Sequence, residues 1–134
     1  MERQKLDAFH VRCLRKIYGI SHSMISRVSN QYILNKYGTI PLSNILLRRQ
    51  LEFFGKIARL TVDSPVRQIV FQRGCCDGLV PEGRKVGRPR QEWSREMQRK
   101  SEDMLPDPVE RTRCMKNAAD WKRKVWTFTE FFKE

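Results

Sequence analysis

The sequence predicts an all-α fold: a small multi-helix domain of about five to seven helices with a long basic Gly/Pro-containing loop. Three observations lead there. Apolar residues recur at three- and four-residue spacings through much of the chain. Glycines suited to ending helices, and Ser-Pro and Asp-Pro pairs suited to starting them, fall between those stretches. The β-branched cluster at residues 68–71 is too short to argue for a strand.

Taken in order, Leu6, Phe9, Cys13 and Ile17 give the first helix one apolar stripe, and Gly19 is its C-terminal stop. Residues 21–26 read as loop. A short helix over residues 31–37 follows, with Ser29 or Asn30 as N-cap and Gly38 beyond its end. The strongest helical pattern comes after Pro41. Ile45, Leu46, Leu51, Phe53, Phe54, Ile57, Ala58 and Leu60 form a broad apolar face, and Ser43 or Asn44 can cap its start. Gly55 lies inside this pattern at a cost of about 1 kcal/mol relative to alanine. It therefore marks a place where another helix crosses closely. Ser64-Pro65 reads as cap and first turn of a short helix reaching Phe71.

Beyond it, Gly74, Gly78, Pro81, Gly83, Gly87 and Pro89 break any regular pattern. Helix resumes over residues 90–104. Asp107-Pro108 opens a last segment carrying Cys114, Met115, Trp121, Val125, Trp126, Phe128, Phe131 and Phe132, which reads as one helix or two, its aromatics directed to the core. The organisation expected is an N-terminal helical region (1–73), a basic loop (74–88) and a C-terminal helical region (89–134), joined in one compact domain.

Charge restricts the partner. Lys and Arg number 27 against 15 Asp and Glu, a net charge of +12, with a pI of about 10.1. Self-repulsion of this size is relieved by a polyanion, so nucleic acid or an anionic surface is the natural partner, beside the alternative of a basic protein with no specific ligand. The apolar runs are far shorter than the ~18 residues that span a bilayer, so a membrane is not expected. Met1-Glu2-Arg3-Gln4-Lys5 reads as no signal peptide, and the four cysteines then read as reduced thiols in an intracellular setting, nucleus or cytoplasm.

The sharpest local signal is Arg84-Lys85-Val86-Gly87-Arg88-Pro89-Arg90, four cations with no acid among them. Gly87 permits close approach and Pro89 favours an extended course. The stretch looks like an AT-hook core with Val86 where an arginine is usual. Phosphate contact, minor-groove insertion and a solvated basic turn are the readings open to it. Arg95 and Arg99 continue the charge, partly offset by Glu92, Glu96, Glu102 and Asp103, while Trp93 reads as a core anchor. Arg12, Arg15, Arg48, Arg49 and Lys56 complete the candidate nucleic-acid-binding set.

No catalytic, metal or cofactor site is expected. The chain has no Asp-Asp pair of the kind that holds polymerase metals. His10, Cys13, His22, Cys75, Cys76 and Cys114 lack the spacing of a closed zinc site, and Cys13 belongs to an apolar stripe.

Four segments carry a family resemblance. Leu6-Asp7-Ala8-Phe9-His10-Val11-Arg12-Cys13-Leu14-Arg15-Lys16-Ile17-Tyr18-Gly19-Ile20 comes first. Gly38-Thr39-Ile40-Pro41-Leu42 follows, leading into Arg48-Arg49-Gln50-Leu51-Glu52-Phe53-Phe54-Gly55-Lys56-Ile57-Ala58-Arg59-Leu60. Gly87-Arg88-Pro89-Arg90-Gln91-Glu92-Trp93 and Ala119-Asp120-Trp121-Lys122 complete the series. Their order and spacing resemble the C-terminal region of a non-LTR (LINE-type) retrotransposon reverse transcriptase, downstream of the polymerase core; that family often has His where Lys56 stands. The resemblance spans residues 6–126. It implies a segment that grips RNA or DNA phosphates, has no polymerase or nuclease activity of its own, and works beside a polymerase domain encoded elsewhere in the element. Two alternatives stay open: a protein-interaction module docking through its apolar C-terminal helix, and a retroelement remnant without function. Nothing in the sequence fixes the oligomeric state.

Overall fold

A computed structural model describes residues 2–71 and 93–131. Among them the chain forms eight helices and no strand: α1 (Glu2–Ile17), α2 (Ser23–Ser26), α3 (Asn30–Lys36), α4 (Leu42–Ala58), α5 (Pro65–Val70), α6 (Trp93–Met104), α7 (Pro108–Lys116) and α8 (Ala118–Phe131). The all-α class is as the sequence reads. None of the described helices is long and apolar enough to cross a membrane. The chain divides into two compact units, one ending at Leu47 and the other running Arg48–Phe131. The division falls inside α4, not at the glycine-rich stretch where composition changes.

In the first unit, Val11, Ile33 and Leu34 form the core, with Leu14, Ile20, Val28 and Tyr37 packed around them. The buried face of α1 is not the stripe drawn from the sequence. Phe9 is 58% and Ile17 72% exposed, whereas Val11 and Arg15 are buried. Both stripes satisfy a 3.6-residue period, and the one that wins carries an arginine, which hydropathy alone scores as outward. Gly19 (φ +63°) and Gly38 (φ +60°) end α1 and α3 in the left-handed conformation. Each helix closes with the same paired bonds: Ile20 N to Arg15 O at 2.9 Å and Gly19 N to Lys16 O at 3.5 Å, then Thr39 N to Leu34 O at 3.0 Å and Gly38 N to Asn35 O at 3.2 Å. Tyr18 and Tyr37, the residues just before those glycines, stack with centroids 3.5 Å apart.

The residues read as loop include the short α2, where His22 Nδ1 accepts from Met24 N at 3.4 Å. Ser29 caps α3 as expected, accepting from Tyr32 N at 3.1 Å. The start of α4 receives a cap from a distance. Asp7 on α1 accepts from Ser43 N (2.8 Å) and Ser43 Oγ (2.6 Å), placing a carboxylate at the helix N-terminus, where the macrodipole favours it.

The second unit packs around Leu51, Phe54, Ile57, Val70, Phe71, Met97, Leu105, Met115, Trp121 and Val125, all buried. Phe54 meets Phe71 at 4.9 Å and Trp93 at 6.1 Å between ring centroids, so Trp93 does anchor α6 to α4. Asp107 caps α7 by accepting from Val109 N at 3.0 Å. The last segment resolves into two helices because Asn117 interrupts it and caps α8, accepting from Ala119 N at 3.0 Å. Gly55 is the close crossing its cost implied: the Trp121 indole covers it, and Nε1 donates to Leu51 O at 2.8 Å.

Candidate nucleic-acid interface

The cations divide into those that hold the fold and those that face solvent. Arg15 is buried and donates to Ser21 O (2.7 Å), Ser26 Oγ (3.3 Å), Asn30 Oδ1 (3.1 Å) and Val28 O. Its guanidinium fork gathers residues 21–30 against α1, which removes Arg15 from the nucleic-acid-binding set. Arg48 is also engaged. Its Nε donates to Thr129 Oγ1 at 2.9 Å, and its guanidinium carbon lies 4.1 Å from the Trp126 ring centroid. Arg48 therefore acts first as a structural cation.

The same use recurs at positions the sequence did not single out. Arg59 donates to Met115 O in the last turn of α7 at 2.9 Å, Arg67 to Leu60 O beyond the end of α4 at 2.6 Å, and Arg111 to Leu105 O just past α6 at 2.9 Å. The Met115 carbonyl is one that a helix end leaves without an intrahelical partner, the Leu60 and Leu105 carbonyls lie just past helix ends, and a cation at any of them meets the negative end of a macrodipole. Arginine reaches such carbonyls from a neighbouring helix, a role that leaves no periodic trace in sequence.

The other described candidates lie on the surface. Arg12 is exposed on α1 in the first unit. In the second unit Arg49 and Lys56 are exposed on α4, and Arg95 and Arg99 on α6. Arg49, Phe53 and Lys56 stand four and three residues apart, so they share one helical face. Phe53 on that face is 53% exposed, and its ring meets Trp93 of α6 at 5.9 Å between centroids. An exposed aromatic thus sits between two cations on α4, beside the first turn of α6. Arg84, Lys85, Gly87, Arg88, Pro89 and Arg90 precede that turn in the sequence and lie outside the described residues.

Among the described residues no group of three or more His, Cys, Asp or Glu is placed to hold a metal ion. Cys75 and Cys76 fall outside the described residues. Burial pushes the Cys114 thiol above its ordinary range, with the Asp120 carboxylate adding to the shift. A thiol kept protonated is a poor ligand and nucleophile. Its linkage to folding has a definite sign: the unfolded thiol ionises first, so the contribution is full below the unfolded-state pKa and declines as pH rises past it. Helix content by circular dichroism is expected to be the same before and after strong chelation; loss of helix that added zinc restores would overturn this.

Comparison of the chain with protein-family models, with curated proteins and with solved structures finds no match.

Proposed function

We propose that the chain binds nucleic acid by phosphate contact, as the segment beyond the polymerase core of a LINE-type reverse transcriptase, without polymerase or nuclease activity of its own. The observation that carries this reading is the outward row of α4, where Arg49 and Lys56 flank exposed Phe53 beside the start of α6. Cations around an aromatic face suit a polyanion whose bases also offer π surface. The basic stretch from Arg84 to Arg90 joins the chain at this same end of α6. Its natural companion in this reading is a polymerase domain encoded elsewhere in the element.

The resembling segments also account for their own pattern. Gly55 and Leu51 from one segment hold Trp121 from another, and Trp93 from a third packs on Phe53 and Phe54. These residues belong to the second unit, while the resembling stretches 6–20 and 38–42 lie in the first. The burial of Trp121, Val125 and Thr129 within the second unit favours the nucleic-acid reading over docking through the C-terminal helix.

Binding is measured by fluorescence anisotropy at several salt concentrations. Affinity for duplex DNA is expected to fall by about 0.9 log unit per log unit of salt for each phosphate neutralised. Replacing Arg49 and Lys56 with alanine weakens binding and flattens the slope by about two phosphates if each meets one. Replacing Arg84, Lys85, Arg88 and Arg90 does the same to a larger degree, and more so on A·T-rich duplex if the stretch enters the minor groove. A chain that shows no salt-dependent binding to RNA or DNA would refute the proposal.

A further inference from the structure

Trp126 is held in place without being buried. It is 43% exposed on α8, although the C-terminal aromatics read as core. Its indole Nε1 donates to Glu52 Oε1 at 2.8 Å. Beneath the ring lies Arg48, 4.1 Å from the centroid, a separation suited to a cation–π contact. Arg48 is itself fixed by its bond to Thr129 Oγ1, and that fully buried hydroxyl donates to Val125 O at 2.8 Å. A chain of contacts thus runs from the helix backbone to the indole. One ring edge is tied to a carboxylate, a guanidinium lies close over the ring and Lys122 Nζ stands farther out at 5.9 Å from the centroid, and 43% of the residue stays exposed.

We propose that the exposed part of this pre-set ring is a stacking platform for an unpaired base of single-stranded nucleic acid, with Lys122 turning from the ring to meet the adjoining phosphate. The inference rests on the nucleic-acid reading above and narrows it to a ligand class. A base within a duplex offers only its edges, whereas an unpaired base offers the π face that an indole can cover. Pre-setting the ring lowers the ordering cost of that contact. The cation assignment follows from the neighbours. Of the three consecutive cations on α8, Arg123 pairs with Asp120 at 2.7 Å and Lys124 with Glu110 at 3.6 Å, while Lys122 Nζ stands 5.9 Å from the Trp126 centroid. Arg48 and Arg49 add positive charge on the α4 side. Two cations, Arg48 and Lys122, stand over the ring against one carboxylate, Glu52, at its Nε1 edge, and this positive balance favours a polyanion.

The test uses the full chain with labelled single-stranded RNA, single-stranded DNA and duplex DNA. Trp126→Ala is expected to weaken single-strand binding by about 5- to 100-fold and to leave duplex binding within about twofold. Trp126→Phe keeps a smaller ring and falls between. Lys122→Ala lowers the single-strand salt slope by about 0.7, the value for one phosphate. Intrinsic tryptophan fluorescence quenches more on single-strand addition in the parent than in Trp126→Phe, where buried Trp121 and half-buried Trp93 are the remaining indoles. Thermal melts confirm folding, and the Phe variant with its fluorescence readout serves if the Ala variant melts early. Loss on RNA and DNA strands alike assigns recognition to base faces; loss on RNA alone assigns it to the base together with its 2′-hydroxyl, and either supports the platform. Equal loss on duplex and single strands, or no loss at all, overturns the platform while leaving the broader reading intact. A parent chain that binds no nucleic acid removes the broader reading itself.

Discussion

Replacing Gly55 with alanine lowers stability by about 2–3 kcal/mol, against the gain of about 1 kcal/mol that the same change brings at an ordinary helix interior. The reversed sign comes from Trp121. A Cβ built on Gly55 lies 2.2 Å from Trp121 Nε1 and 2.3 Å from Cδ1, distances at which the ring must move. It has little room to do so, because Trp121 is 1% exposed and its N–H is bonded to Leu51 O. Displacing the ring therefore adds a lost buried hydrogen bond, about 1 kcal/mol, to the overpacking. A fall of roughly 10 °C in melting temperature follows for a chain of this size. The partner change, Trp121→Phe, removes the N–H and part of the ring. It is destabilising alone, but combined with Gly55→Ala it costs clearly less than the sum, since the two residues share one contact. Thermal melts of the four proteins complete the cycle. A Gly55→Ala variant that melts at or above the parent temperature would show that the indole does not lie over the helix there.

The second large effect concerns Arg15. Arg15→Ala is expected to cost about 3–4 kcal/mol within the first unit, because a buried fork bonded to two carbonyls, a hydroxyl and an amide is lost at once and its acceptors are left without the donor. Arg15→Lys recovers little, since one ammonium cannot reproduce a planar fork spanning several acceptors. Arg12 supplies the control. It lies three residues earlier on the same helix but is exposed, so Arg12→Ala changes stability by no more than about 0.5 kcal/mol. Amide hydrogen exchange over residues 18–30 is the direct readout, and salt-dependent nucleic-acid binding the complementary one. Arg15→Ala accelerates exchange there; Arg12→Ala does not. A stable Arg15→Ala variant with a flattened salt slope would return Arg15 to the binding surface and undo its structural assignment.

These two positions also show what the sequence reveals. Gly55 was legible because a glycine inside a strong helical pattern is costly, and a cost without local compensation points to a crossing. The proline starts at Pro65 and Pro108, the Asp107 cap, and the terminal Gly19 and Gly38 were legible because their chemistry is local, whereas Ser64 holds the cap position without a side-chain cap bond. The helical role of Arg15 was not. A basic residue in a basic chain reads as solvent-facing, and only the carbonyls gathered around it, up to fifteen residues away, show otherwise. The same holds for Arg48, Arg59, Arg67 and Arg111. Asp7 capping α4 spans 36 residues of sequence, beyond any window that reads local patterns. Trp126 was read inward by hydropathy, yet its exposure depends on which face of α8 Trp121, Val125 and Thr129 bury. Of the candidate interface, the outward positions of Arg49 and Lys56 follow from helical phase; the sorting of cations into struts and surface groups does not.

The division of the chain inside α4 has a consequence for dissection. A helix cut at Leu47/Arg48 leaves four carbonyls on one fragment and four amides on the other without intrahelical partners, at a point where the backbone ladder is now unbroken. The fragment beginning at Arg48 also forfeits the Asp7 carboxylate that starts the helix, so its first turns fray. Neither half of the chain is therefore a natural expression boundary, and the glycine-rich stretch, which looks like a linker, separates α6 from the α4 residues it packs against. Proteolytic nicking there should release no independent domain under native conditions; the pieces should stay together until the core around Phe54 melts.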